Sequence, residues 1–495
     1  MSALKQSAYY GIGIVMMKGV SLLMMPYITS KLTPLEYGSL ESLVLLADIG
    51  TIIIGFGMIE SLYRFVGPSK GKQRKELISN CFTLSVFVTI SGSFLIWMLM
   101  PFLLARLPHQ FEQYQIVLIA IPTLLEGLIA IPLTLMRMES LAKKFCIFNV
   151  LKAIVQALLI IVMLEAGLGI DAILIAGACS SVLLLVCLLG FQWDQMTNFG
   201  HLGNSVQLLK YSMPFVLSNI GLFAITGLDR WMLADKVGVE TLAIYAIAAK
   251  FAMILGLLMQ PFTLWWFPNR ISMLQHDQGP QQCADNAMLG TNIGIFIAVA
   301  MMLTVPSFIY LLLPIEYHLA AQVVVGLLLV NTLKNASDLL NLGCFSGNSS
   351  QCQMWIQWLC SAIAITGYWL LIPHFDIWAA VFVLAGVYTT RLLLFYYFSQ
   401  SLLPLPYRHS GWLTCVVVGA TLYGASLVIS PVLSLWGQLI VGGLFSFLML
   451  VFLVGMKIFP NVISSRWTLT SLFSSTSDHK QTNSDTLEPA AKKLP

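Results

Sequence analysis

Runs of about 20 apolar residues, each long enough to cross a hydrocarbon core of roughly 30 Å as a helix, follow one another along this chain almost without pause. About fourteen can be counted. They occupy residues 9–29, 40–65, 77–100, 114–136, 145–164, 170–191, 211–229, 241–267, 287–313, 320–345, 352–372, 377–398, 412–429 and 435–457. In hydrocarbon every backbone polar group must be satisfied within the segment, so a succession of such runs commits the chain to an all-α, polytopic membrane fold. Composition points the same way: 58% of the residues are hydrophobic and 10% charged, against roughly 45–50% and 25% in soluble domains. So few charges cannot cover a water-facing exterior of this size.

The first run follows Lys5 and has no small-residue cleavage site, so we expect it to be a retained helix. Beyond Arg466 the composition turns to Ser, Thr, Asp and Lys, which predicts a disordered tail over 466–495. Sorting the 26 Lys and Arg by loop places sixteen on one side, among them Lys70, Lys72, Arg74, Lys75, Lys143 and Lys144. Four lie on the other, Lys31, Arg106, Arg230 and Lys236, and six lie inside runs. The basic side is the cytoplasmic one, which puts both termini in the cytoplasm.

A net charge of +4, with basic residues scattered singly apart from one short run, argues against a nucleic-acid partner. No loop exceeds about twenty residues, so there is no room for a soluble catalytic domain. The segment from Gly67 to Lys72 lacks the spacing and the following Ser or Thr of a phosphate-binding loop, and H-E-x-x-H, G-x-S-x-G and G-x-G-x-x-G are missing. The nine cysteines read as buried small hydrophobes; the trio Cys344, Cys352 and Cys360 is the one grouping with any redox or metal potential. No metal or cofactor is expected.

A faint repeat recurs at an offset of about 205 residues. Lys5-Gln-Ser7 before the first run is echoed by Lys210-Tyr-Ser212 before the seventh, and Pro34-Leu-Glu36-Tyr37 by Gly238-Val-Glu240. The turn Ser140-Leu-Ala is echoed by Ser346-Gly-Asn. The organisation this implies is a six-helix half over 1–200, a second over 201–400, an extra helix pair over 401–465, and the tail.

Setting aside Glu41, Asp171, Asp229 and Lys457 at the very ends of runs, ten charged residues lie inside them: Lys18, Asp48, Glu60, Arg64, Glu126, Lys152, Lys250, Lys334, Asp338 and Arg391. At about 2.5–3.5 kcal/mol each near the midplane, their exposure to lipid would cost on the order of 25–35 kcal/mol. They must therefore face each other or water. Glu60 with Arg64, and Lys334 with Asp338, stand one turn apart and are spaced for intrahelical pairing. Arg64 and Lys152 are near enough to run ends to snorkel. Lys18 and Lys250, mid-run and with no acid one turn away, predict a water-filled cavity lined by cations and suited to an anionic substrate. Asp48 and Glu126 are candidates for proton or sodium coupling. The last two runs carry no internal charge, as expected of a lipid-facing addition or a groove for a hydrocarbon tail. The Trp265-Trp266-Phe267-Pro268 block reads as an interfacial aromatic belt.

The stretch from Lys5 to Gly38, with its Leu32-Thr-Pro34-Leu-Glu36-Tyr37-Gly38 loop, resembles the polysaccharide-transport branch of the MOP exporter superfamily. So does the stretch from Gly227-Leu-Asp229-Arg230 to Tyr245-Ala-Ile-Ala-Ala-Lys250. The resemblance implies a MATE-like fold of two six-helix bundles around a central cavity. It also implies alternating access and the flipping of an undecaprenyl-pyrophosphate-linked oligosaccharide of an O-antigen or capsule pathway across a bacterial inner membrane. A polysaccharide polymerase and a chain-length regulator are the implied partners beside the bilayer. Helices one, two, seven and eight would line the cavity. On this reading Lys18, Lys250, Lys334 and Arg391 bind substrate, while Asp48, Glu60, Glu126 and Asp338 couple transport to an H+ or Na+ gradient or to the membrane potential. The competing readings are an organic-cation antiporter of the same superfamily and a non-transporting membrane transferase or scaffold.

Overall fold

In the computed structural model the described residues are 3–55, 57–107, 111–192, 205–275, 277–345 and 351–459. The expected tail and the Ser346-Gly-Asn turn lie outside them. Among the described residues every regular element is helical. In chain order the first seven α-helices are α1 Ala3–Lys31, α2 Pro34–Gly55, α3 Met58–Ser61, α4 Gly71–Arg106, α5 Gln113–Met138, α6 Ala142–Glu165 and α7 Ile170–Gln192. Then come α8 Ser205–Thr226, α9 Leu228–Lys236, α10 Val239–Ala252, α11 Ile254–Leu274, α12 Gly279–Leu312 and α13 Ala320–Leu339. The chain closes with α14 Gln351–Leu402, α15 His409–Ile429 and α16 Leu435–Gly455.

Twelve helical stretches among the described residues are long and apolar enough to cross a membrane. The difference from the apolar runs counted in the sequence arises at two places. The first run corresponds to α1, which is not among the twelve. Runs eleven and twelve lie together in α14, which is two helices joined at Asp376, a residue with non-helical backbone angles. The halves fold back on each other: a Cβ at Gly367 would press on the Val383 side chain and the Cys360 thiol reaches the Val387 carbonyl at 3.9 Å, so each half, about 25 residues long, is long enough to cross the hydrocarbon core by itself.

The helices pack as two groups and an appendage. In the first group α1 lies on α6, α2 and α4 on α5, and α7 on both α5 and α6. In the second, α10 lies on α13, α11 on α12, and α14 on α8, α9 and α13. α15 and α16 dock on α12. The largest apolar core is built around α10 of the second group and extends into the first through Met25, Leu32, Tyr37, Ile160 and Leu164. There Ala243, Ala246, Ala248 and Ala252 are at most 1% exposed, and such small side chains let neighbouring backbones approach closely where no hydrophobic force drives helices together.

Between α12, α13, α14 and the α15–α16 pair lies a cavity of about 580 Å³, apolar except for residues such as Ser307, Tyr310, Gln322 and Gln438. The pair is therefore joined to the second group partly across open space. Where α16 meets α12 the approach is close at Gly442: a Cβ there would overlap the Leu303 carbonyl oxygen of α12. Gly442→Val is expected to lift α16 off α12 and to cost about 1–3 kcal/mol as overpacking. A thermal melt of the purified protein reads this as a lowered midpoint, and an unchanged midpoint contradicts the contact.

The aromatic block at 265–268 differs from the interfacial belt expected of it. Trp266 is fully buried at 0% exposure, against Phe262 and the start of α12. Arg270, placed by hydropathy in a cytoplasmic loop, is 7% exposed and lies 4.8 Å from the ring centres of both Phe267 and Phe345. The apolar run stops at Phe267, but the helix continues to Leu274 and carries these residues into the core.

Candidate functional site

The two helix groups meet along α2 and α10. The first turns of α2 are nearly all buried, from Tyr37 to Leu43. Gly38 comes so near the Val239 carbonyl that any Cβ would overlap its oxygen, so only glycine allows this approach. Tyr37 packs edge-on against Tyr317 with ring centres 6.1 Å apart, and the Tyr317 hydroxyl donates to the Leu32 carbonyl at 2.9 Å.

This contact carries charge at its centre. Lys250 Nζ of α10 donates to Glu41 Oε1 of α2 and to the Tyr37 hydroxyl at 2.7 Å, and lies 5.0 Å from the Tyr37 ring centre. Glu41 is 3% exposed, whereas the Lys250 side chain is 37% exposed. The pair therefore joins the two groups through a buried carboxylate and a partly accessible ammonium. Arg230 of α9 acts electrostatically on Glu41, Asp48 and Asp229, and Asp48 also feels Lys18 and Lys250. Lys18 and Asp48 are both exposed. Lys18, Arg230 and Lys250 thus stand among Glu41, Asp48 and Asp229, a balanced set rather than a purely cationic one.

Asp229 is the most enclosed member at 2% exposure. Its Oδ2 accepts from the Tyr245 hydroxyl at 2.6 Å, while Oδ1 has no hydrogen-bond partner among the described residues. A bare carboxylate oxygen in such a position is an acceptor without a donor, the arrangement that suits a proton or a small cation.

At the opposite end of α2 the groups touch again. Ser61 Oγ lies 2.7 Å from Ser212 Oγ, Ser212 Oγ donates to the Gly57 carbonyl at 3.1 Å, and Phe65 meets Tyr211 edge-on at 5.3 Å. Both ends of the seam are therefore sealed by contacts between the two groups.

The remaining charges fall in separate places. Arg391 of α14 donates to Asp338 Oδ1 of α13 at 2.8 Å and packs 4.8 Å from the Phe395 ring centre. Asp338 is thus taken by Arg391 rather than by Lys334, which is half-buried and in no ion pair among the described residues. Glu126 and Lys152 are half-buried on α5 and α6 and act on each other without closing to a salt bridge. Glu60 and Arg64 form no ion pair; Arg64 is exposed in the π-helical turn Leu62–Val66. Asp338→Ala would leave the Arg391 guanidinium, 12% exposed, without its counter-charge. A loss of about 3–5 kcal/mol is expected, read as a lower thermal midpoint that Arg391→Met restores in the double variant.

Sequence reasoning set Glu41 and Asp229 aside as residues at run ends and placed Arg230 in a loop. α8 stops at Gly227 but the chain re-enters a helix at Leu228, which keeps Asp229 and Arg230 inside the bundle. Among the described residues no group of three or more His, Cys, Asp or Glu is placed to hold a metal ion.

A family profile described as polysaccharide biosynthesis protein matches residues 31–331, more than half of the chain. A search of curated proteins found no match. Among solved structures, the chain is similar to the lipid II flippase MurJ in an inward closed conformation, with a TM-score of 0.73 at 10% identity over 90% of this chain and 99% of that one. It is also similar to an outward-facing multidrug resistance MATE transporter of the MOP superfamily, with a TM-score of 0.55 at 12% identity over 80% and 95%. A MOP superfamily transporter from Pyrococcus furiosus gives 0.50 at 13% identity over 81% and 98%. At such identities these likenesses establish the fold, which is that of the MOP transporters.

Proposed function

The chain belongs to the polysaccharide biosynthesis protein family, and from that premise we propose that it flips an undecaprenyl-pyrophosphate-linked oligosaccharide between the leaflets of a bacterial inner membrane. The observation that carries the reading is the extent of the family match, which runs through both seam helices, α2 and α10. The lipid II flippase among the similar structures acts on a lipid-linked substrate in name, and the same substrate class is proposed here with an O-antigen or capsule repeat unit as the glycan.

In the sealed state Lys250 is neutralised by Glu41. An incoming pyrophosphate competes with that carboxylate for the same ammonium, and phosphate oxygens form strong charge-assisted hydrogen bonds in a reduced dielectric. Substrate binding and opening of the seam at its Leu32 end are then one event. Lys18, exposed beside Asp48, and Lys334, free of an ion pair among the described residues, extend the cationic path. Arg391 enters it when Asp338 releases it.

Coupling to an H+ or Na+ gradient is assigned to the carboxylates. Asp48, Glu60, Glu126 and Asp338 were expected to serve, and Asp229 joins them because its Oδ1 is bare and enclosed. Asp229→Asn keeps an acceptor for Tyr245 but cannot take up a proton or hold a cation as a carboxylate does. Gradient-driven transport is expected to fall at least about tenfold, equivalent to about 1.4 kcal/mol, with an unchanged thermal midpoint. Gradient-driven transport at the wild-type rate in this variant removes Asp229 from the coupling step.

A further inference from the structure

We propose that Cys344 and Cys352 form an oxidisable dithiol, a modification site at which a disulfide staples the turn after α13 to the start of α14. The two sulfurs stand 3.7 Å apart. Disulfide bonding requires about 2.05 Å, so closure needs a sulfur displacement on the order of 1.7 Å, within the reach of a side-chain rotation.

The two thiols differ in how they are held. Cys344 lies in the 3-10 turn Leu342–Phe345 and is 1% exposed. That turn is fixed from three directions. The Gly343 amide donates to Ser399 Oγ at 2.8 Å, the Cys344 amide donates to the Asn341 carbonyl at 3.0 Å, and the Phe345 ring rests against Arg270 at 4.8 Å. Cys352 sits in the first turn of α14 and is partly exposed. Cys360, two turns further on, is fully buried and directs its thiol to the Val387 carbonyl at 3.9 Å, so it does not compete for Cys344.

This asymmetry sets the order of events. Burial and the neighbouring Cys352 push the Cys344 thiol up to about 12, which leaves Cys352, the more accessible sulfur, to meet an oxidant first. With a hydroperoxide, the Cys352 thiolate attacks the peroxide oxygen: an S–O bond forms, the O–O bond breaks, and hydroxide or alkoxide leaves with the proton the thiol gave up. Cys344 sulfur then attacks the sulfenic sulfur of Cys352. The S–S bond forms, the S–O bond breaks, and water leaves carrying the Cys344 proton. Two thiols are oxidised by two electrons and one hydroperoxide is reduced. The product fixes the joint between α13, which carries Lys334 and Asp338, and α14, which carries Arg391.

The test uses the intact purified protein treated with hydrogen peroxide, alkylated under denaturing conditions and digested. A linked peptide containing Cys344 and Cys352, about 2 Da lighter than the two reduced peptides together, is expected, and dithiothreitol should remove it. Cys352→Ser should abolish the link, and Cys344→Ser should leave a dimedone-reactive sulfenic acid on Cys352. Full alkylation of both residues after peroxide treatment, or a link from Cys352 to Cys360 instead, overturns the proposal.

Discussion

Replacing Lys250 alone by Met is expected to destabilise the protein by about 3–5 kcal/mol and to abolish transport. The loss follows from what is left behind: Glu41, 3% exposed, keeps its charge in the seam with its principal partner gone, and an uncompensated buried charge is costlier than the pair it came from. Removing both charges, with Glu41→Gln and Lys250→Met, should recover most of the stability, since neutral side chains of similar volume replace a buried pair at little cost. Transport should not recover, because the ammonium proposed to take the pyrophosphate is gone. A thermal melt and a flipping assay on the two variants separate the effects. Full activity in the double variant would leave the ion pair as a structural feature alone.

Gly38→Val is expected to have the second large effect, confined to the conformational cycle. A Cβ at this position overlaps the Val239 carbonyl oxygen, and because that oxygen belongs to the α10 backbone no side-chain rotation relieves it. The strain of about 1–3 kcal/mol falls on the state in which α2 and α10 touch, shifting the balance away from it on the order of ten- to a hundredfold. Transport should drop accordingly. A cysteine placed at Ser42, fully buried beside the pair, should become reactive to a water-soluble thiol reagent in the Gly38→Val background and stay protected with Gly38 in place. Equal protection in both backgrounds would mean that the close approach is not needed to seal this end.

Which parts of this could be read from the chain follows from the range of each interaction. Helix positions were legible because hydrocarbon thickness imposes a length on every crossing, and the cost of charge in lipid singled out Lys18, Asp48, Lys250 and Arg391 as side chains needing partners or water. The partners themselves were not legible. Lys250 finds Glu41 across the seam, 209 positions away in sequence, and Arg391 takes Asp338 from another helix where spacing alone favoured Lys334. Glu41 and Asp229 were overlooked for one shared reason: hydropathy ends a run at the first polar cluster, while the helices continue past it. Trp266 was misplaced by the same rule. The glycine at 38 could have been noticed in sequence, but its reason lies in the backbone of another helix.

In the proposed cycle the two helix groups part and rejoin around a lipid-linked oligosaccharide. This cycle is tested most directly in liposomes containing the purified protein and an undecaprenyl-pyrophosphate oligosaccharide with a fluorescent sugar, where a membrane-impermeant quencher reports the outer-leaflet fraction with time. Fast exchange is expected with the wild type, exchange near the protein-free rate with Gly38→Val, and no acceleration for a labelled phospholipid. Exchange at the protein-free rate with folded wild-type protein, together with acid-driven export of an organic cation, would contradict this cycle.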